Sequence, residues 1–198
     1  MKFLALVFVM LASLNSFAQS RIVSIDAFDV SYTGGLLFKN DSAKKNRSDR
    51  EETTLRLNLN YAQTIPQYVG LMWKGEFHWN RTDIDQNSDS LESTFGVAGG
   101  FLYNFQAEDI KNAFFGATQL GLERMTIESG NDEESGFNLY LKLEAGKRWD
   151  MGQYASTNIS YAPTVELMFK RYGGDIRDEF YSNGHEIRLN FLKFDILF

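Results

Sequence analysis

Apolar and polar residues alternate with a period of two along most of this chain. Between Leu91 and Phe105, nearly every odd position is apolar or aromatic and the even positions are mostly small or polar. This period is typical of a β-strand with one apolar face. The run is far longer than the roughly five or six residues of a typical soluble strand. Comparable runs recur, and the pattern predicts an all-β protein with about eight long strands.

Long polar segments and short turns alternate between the predicted strands. The strands are expected at about Asp26–Phe38, Thr53–Ala62, Tyr68–Arg81, Leu91–Phe105, Ala113–Glu128, Phe137–Trp149, Tyr154–Tyr172 and His185–Phe198. The apolar phase changes near Arg124, which predicts a β-bulge there, and near Phe191, which predicts a bulge or a register change. An even number of long strands with this loop order is typical of an antiparallel up-and-down transmembrane β-barrel with both termini on the periplasmic side.

The N-terminus has the pattern of a secretory signal peptide. Lys2 precedes an apolar run from Phe3 to Leu14, and Ser16-Phe17-Ala18 is a small-x-small cleavage site. The run is too short for a membrane-spanning helix, which needs about twenty residues. We therefore expect a signal peptide at residues 1–18 and one barrel domain at residues 19–198. Cleavage changes the net charge from −6 to −7, and so acidic a chain argues against nucleic acid as a partner.

Aromatic residues gather near the ends of the predicted strands, as lipid interfaces favour. One group is Phe38, Trp79, Phe169 and Tyr172, and the other is Tyr61, Tyr103, Phe105, Trp149 and Phe198. With the C-terminal alternation of Leu192, Phe194, Ile196 and Phe198, the chain resembles the small eight-stranded outer-membrane barrels, such as the OmpA barrel domain, OmpX and OmpW. The resemblance implies a bacterial outer-membrane location, contact with lipid and lipopolysaccharide, and recognition of Phe194, Ile196 and Phe198 by the barrel assembly machinery.

If the apolar positions face lipid, the opposite positions line the barrel lumen. The candidates are Asp29, Arg56, Lys74, Glu76, His78, Glu92, Lys142, Glu144, Arg148, Glu166, Lys170, Glu186 and Arg188. A barrel of eight strands encloses little more than side chains, and buried ions need partners to remain charged. We expect an ion-pair network that fills the lumen. The same residues also suit a narrow solute path gated by Lys74, Glu76, Glu166 and Lys170.

The sequence gives little support for an enzyme or a cofactor. His78 and His185 are the available imidazole bases, but neither is followed by a serine at the spacing of the lipid A deacylases. The acidic segment Glu128–Glu134 lacks the ordered ligand spacing of a calcium loop. We predict no catalytic site, no metal site and no cofactor.

The long polar segments are the expected surface of contact with other molecules. Lys44, Lys45, Arg47 and Arg50 are candidates for contact with lipopolysaccharide phosphates. The expected role is structural or surface-interactive, with an extracellular ligand as a further partner. A channel for small or apolar solutes is the alternative, and a lipid A-modifying enzyme is a weaker one. A secreted soluble barrel would show the same alternation but would place its apolar face inward.

Overall fold

The computed structural model describes residues 20–26, 29–33, 51–85, 90–129, 132–173 and 184–198, with the backbone alone at 29–33, 51–56, 83–85, 90, 129 and 132. Its strands are β1 (Arg21–Asp26), β2 (Asp29–Thr33), β3 (Glu51–Thr64), β4 (Leu71–Asp85), β5 (Ser90–Asn104), β6 (Phe114–Ser129), β7 (Asp132–Lys147), β8 (Trp149–Tyr154), β9 (Thr157–Tyr161), β10 (Thr164–Tyr172), β11 (Gly184–Asn190) and β12 (Lys193–Leu197). The signal peptide predicted at residues 1–18 lies outside these residues.

The twelve described strands form one antiparallel sheet in the order β2-β11-β10-β7-β6-β5-β4-β3-β1-β12-β9-β8. The predicted all-β antiparallel class is therefore confirmed. The long central strands β3 to β7 pair with their sequence neighbours along nearly their whole length. No helix in the described part of the chain is long and apolar enough to cross a membrane.

Near the N-terminus, strands β1 and β2 join strand β3 to the C-terminal strands β11 and β12. Strand β1 pairs with β3 on one side and with β12 on the other, and β2 pairs with β11. Backbone hydrogen bonds between Arg21 and Phe198, of 3.3 and 3.0 Å, hold the start of β1 beside the C-terminal residue. We call this end of the sheet the terminal end. The strand begins at Arg21, five residues before the predicted start, because β1 alternates in the same way between its two partners.

The two expected bulges have different outcomes. The bulge predicted near Arg124 is wrong, because β6 stays in unbroken register with β5 and β7 on either side of that residue. Met125 and Ile127 simply occupy the buried face, where they pack with Tyr172 in a small apolar cluster. The phase change predicted near Phe191 is confirmed, since Phe191 and Leu192 are both exposed between β11 and β12.

Burial in this sheet is the reverse of that in a water-soluble protein. On β7, Leu139 is 55% exposed and Leu141 is 36% exposed, whereas Lys142 and Glu144, which follow them on the strand, are almost completely buried. The same division holds on β4, where Trp73 is exposed and Lys74 is buried. Strand pairing places all side chains of one phase on the same face. The sheet therefore has an apolar outer face and a charged inner face.

Two inward-facing glycines make room for large side chains on neighbouring strands. A Cβ on Gly96 would lie 2.4 Å from His78 Cε1, and one on Gly121 would lie 2.1 Å from Tyr140 Cζ. Each ring therefore lies directly over the backbone of a glycine. The His78 and Tyr140 ring centroids are 5.7 Å apart. Together these rings occupy the space inside the curl of the sheet.

Substitution of Gly121 by Ala is expected to destabilise the fold by about 1–3 kcal/mol, because the new methyl group overpacks the space that the Tyr140 ring fills. Gly99→Ala is the matched control, since a Cβ at Gly99 meets nothing within 4 Å. The measurement is the urea midpoint of unfolding in lipid vesicles. In a Tyr140→Leu background the cost of Gly121→Ala should disappear, and a cost that persists there would show that the ring is not its cause.

Candidate functional site

The inner face holds a compact group of lysine–carboxylate pairs. Glu144 on β7 accepts hydrogen bonds from the ammonium groups of Lys74 on β4 and Lys193 on β12. The ammonium group of Lys142 donates to Glu76 and lies 3.7 Å from Glu166. All these side chains are almost completely buried. We call these six residues the lysine cluster.

The lysine cluster joins parts of the sheet that are not neighbours. Strands β4 and β7 are separated by β5 and β6, yet Lys74 and Glu144 meet across the interior. Such contacts require the sheet to curl, because side chains on a flat sheet do not reach across two intervening strands. The charge pairs and the curvature of the sheet therefore support each other.

A second group of ion pairs lies farther from the terminal end. Glu123 on β6 lies 3.1 Å from His78 Nε2 and 3.2 Å from Lys170 Nζ. Lys170 also lies 3.3 Å from Glu186, which is 3.1 Å from Arg188 Nη2. Arg188 Nη1 lies 3.6 Å from Glu166 and so links this group to the lysine cluster. The inner face thus carries one network of interacting charges, in which the set of Lys74, Glu144 and Lys193 interacts with Lys142 and Glu76 through space.

Aromatic and amide groups satisfy parts of the same network. Asn138 Nδ2 donates a 3.2 Å hydrogen bond to Glu123, and Asn190 Nδ2 donates a 2.9 Å bond to Glu166. The Tyr140 hydroxyl lies 3.4 Å from His78 Nδ1. The described contacts of His78 with side chains are to Glu76, Glu123 and Tyr140. None of these is a serine, threonine or cysteine, the side chains that commonly act as nucleophile beside a histidine base.

Arg148 anchors the terminal end of the interior. Its Nε donates to Asp195, and its Nη1 donates to the Asn104 side chain and to the Ile110 carbonyl oxygen at 3.5 Å. Its guanidinium carbon lies 4.2 Å from the centroid of the Phe115 ring. Arg148 is fully buried. The residue therefore ties three strands and the turn after β5 to one point.

An apolar cluster closes the terminal end around Arg148. Its buried members are Ile22, Ala62, Met72, Leu102, Phe115, Ala162 and Leu197. Ile110 in the turn after β5 packs against them, and the Ser160 hydroxyl donates a 3.1 Å bond to the carbonyl oxygen of Lys111 in the same turn. This turn therefore lies across the terminal end.

The predicted inner-face residues fall into three groups. The structure brings together most of the set: Lys74, Glu76, His78, Lys142, Glu144, Glu166, Lys170, Glu186 and Arg188 in the network, and Arg148 at the terminal end. Glu92 is half-buried on β5. Asp29 and Arg56 lie on described strands, but their side chains lie outside the description.

Lys44, Lys45, Arg47 and Arg50 fall outside the described residues, so their contact with lipopolysaccharide stays a prediction.

Several buried charged residues of the inner face are absent from the predicted set. Glu123, Lys193, Asp195 and Asp26 are each less than 5% exposed. The signal for Lys193 and Asp195 was present, since they alternate with Phe194 and Ile196. Of the proposed assembly residues, Phe194 and Phe198 are exposed and Ile196 is half-buried on the outer face. Their recognition by assembly machinery stays a prediction.

The described residues contain no group of three or more His, Cys, Asp or Glu side chains arranged to hold a metal ion. The acidic side chains of the inner face meet ammonium and guanidinium groups instead. The arrangement can hold charge away from water and fix strand positions.

Comparison with known proteins finds two solved structures with a similar fold. No protein-family model and no curated protein matches the chain. Among solved structures, it is similar to Neisserial surface protein A (NspA), at 9% identity over 90% of this chain and 94% of that one, with a TM-score of 0.49. It is also similar to the outer membrane protein OprG from Pseudomonas aeruginosa, at 12% identity over 91% and 95%, with a TM-score of 0.41. At these values neither likeness carries an argument about this chain.

Substitution of Glu144 by Gln is expected to destabilise the protein by about 3–5 kcal/mol, because it leaves the charges of Lys74 and Lys193 buried without their carboxylate. Glu128→Gln, at an exposed position of β6, is the control and should change stability little. Urea unfolding in lipid vesicles measures both. Adding Lys193→Met to Glu144→Gln should recover part of the loss, and equal midpoints for Glu144→Gln and Glu128→Gln would contradict the expectation.

Proposed function

We propose that this chain is an integral protein of the bacterial outer membrane, with a structural or surface-interactive role. The observation that carries the proposal is the reversed burial, with charged side chains inside and large apolar side chains outside. Exposed leucine and phenylalanine on this scale are unfavourable in water, at about 25 cal/mol per Å² of apolar surface. Hydrocarbon removes that penalty, and a closed β-barrel leaves no backbone group unpaired within it.

The proposed architecture is an eight-stranded up-and-down transmembrane barrel. In this architecture, four strands each consist of two segments separated by one or two residues: β1 with β2, β7 with β8, β9 with β10, and β11 with β12. With β3, β4, β5 and β6 they make eight. The pairing of β1 with both β3 and β12 supports closure. Both termini then lie on the periplasmic side, and the long loops face outward.

The interior of the proposed barrel is a plug and not a channel. The lysine cluster and the ion pairs around Glu123 occupy the middle, and the apolar cluster with Ile110 covers the terminal end. A solute would have to separate buried ion pairs and then displace apolar side chains. Both steps carry a penalty of several kcal/mol. The filled interior favours a structural or surface role over the alternative of a narrow channel.

The membrane location is tested by gel mobility of the membrane fraction with and without boiling. A folded outer-membrane barrel is compact and resists detergent, so the unboiled protein should migrate faster than the boiled protein. Glu144→Gln should lose this shift at a lower temperature than the unaltered chain. Unchanged mobility, together with recovery of the protein in the soluble fraction, would refute the proposal.

The plugged interior is tested by conductance in planar bilayers. The purified barrel should give no steady current, because no water path crosses the terminal apolar cluster. Stepwise currents that change in size in a Lys74→Ala variant would instead favour the channel alternative. A Leu120→Ala variant, altered on the outer face, is the control and should behave like the unaltered protein in either case.

A further inference from the structure

An apolar groove lies on the outer face near the terminal end. The groove has a volume of about 510 Å³ and lies where β7, β10 and β11 meet the turn between β5 and β6. Its walls include Phe105, Phe114, Val165 and Phe191, which are 51% to 65% exposed. Large side chains form the walls, and the floor between them is made of small residues.

The floor is low because small residues occupy the strands there and a proline interrupts one of them. The outward series Leu139, Leu141 and Leu143 on β7 is followed by Ala145, and Pro163 interrupts the ladder between β9 and β10. Gly146 beneath the groove is tightly packed, since a Cβ there would lie 2.7 Å from Phe115 Cζ. Close packing beneath Gly146 therefore excludes a larger residue from the floor of the groove.

A single cation stands at the edge of this groove. Lys147 contributes to the lining, and its ammonium nitrogen lies 4.8 Å from the centroid of the Phe114 ring and 5.2 Å from that of Trp149. Among the described side chains, no carboxylate is paired with Lys147. Trp149 stacks on Tyr161, with ring centroids 5.8 Å apart. A lysine among Trp and Tyr side chains is typical of the lipid headgroup level.

We propose that this groove binds one glycerophospholipid of the periplasmic leaflet, with its phosphate on Lys147 and one acyl chain over Ala145 and Val165. The inference rests on the proposed membrane location. The terminal end is then the periplasmic side, where glycerophospholipids form the leaflet. The cation lies at headgroup depth, and the apolar floor extends from it across β7, β10 and β11. Charge at one end and hydrocarbon along the rest are the two parts of such a lipid.

The test is native mass spectrometry of the purified barrel with added dioleoyl phosphatidylglycerol. The unaltered protein should retain one lipid under conditions that strip the others. Lys147→Glu reverses the charge and Ala145→Trp fills the groove, so each should weaken retention about tenfold or more. Lys111→Glu, a cation at the same end outside the groove, and Leu120→Trp, a bulky change elsewhere on the outer face, are the matched controls and should retain the lipid.

Gel mobility distinguishes failure of the groove assignment from failure of the membrane proposal. Variants that keep the faster unboiled migration but bind lipid like the controls would overturn the groove assignment and leave the membrane proposal intact. An unaltered chain without that migration would refute the membrane proposal itself. An adduct with the mass of a free fatty acid or of lipopolysaccharide, in place of phosphatidylglycerol, would also overturn the assignment.

Discussion

The pairing of buried ammonium and carboxylate groups across the interior is the interaction on which the rest of this structure depends. Glu144 meets two lysines from strands on different sides of the curl. An unpaired ion in such a place would be very unfavourable. The pairs therefore demand that distant strands approach each other, and they exclude strand registers in which like charges meet. In this fold, charge performs the role that apolar side chains perform in a water-soluble core.

Along its length, the interior changes from apolar side chains to ion pairs and back to apolar side chains. This layering connects packing to the proposed function. Near the terminal end, apolar side chains and the turn that carries Ile110 surround Arg148. The ion pairs occupy the middle, and Met125, Ile127 and Tyr172 form a smaller apolar cluster beyond them. Apolar groups at two levels limit the access of water to the ions between them. Low access of water strengthens each charge pair, so the layers stabilise one another.

The sequence predicts the class and the sides of this sheet well, because both follow from a period of two. Lys74, Glu76 and His78 are assigned to the buried face from alternation alone, and the structure buries all three. Alternation does not specify which carboxylate meets which lysine. That choice depends on how neighbouring strands are staggered, and the stagger is set by turns and tertiary packing. The contact between Glu144 and Lys193 is therefore visible only in the folded chain.

The errors also have physical causes. Glu123 is missing from the predicted set because Met125 and Ile127, two and four positions after it, are apolar. Their positions imitate a change in the phase of the apolar alternation. Their apolar character reflects a local cluster inside the sheet and not a bulge. The groove at Ala145 gives no signal in the sequence, since a small residue at one outward position has no meaning until Phe105 and Phe191 are placed around it.

The pairing of β1 with β12 determines when this protein can finish folding. Strand β1 contains residues near the start of the chain and β12 contains residues near its end. Until both are present, the sheet has two open edges, and open edges of long apolar strands are templates for aggregation. Local hairpins can form early, but the seam that satisfies both edges comes from the longest loop closure in the molecule. The pairing of β1 with β12 is therefore expected to form late in folding, after the local hairpins.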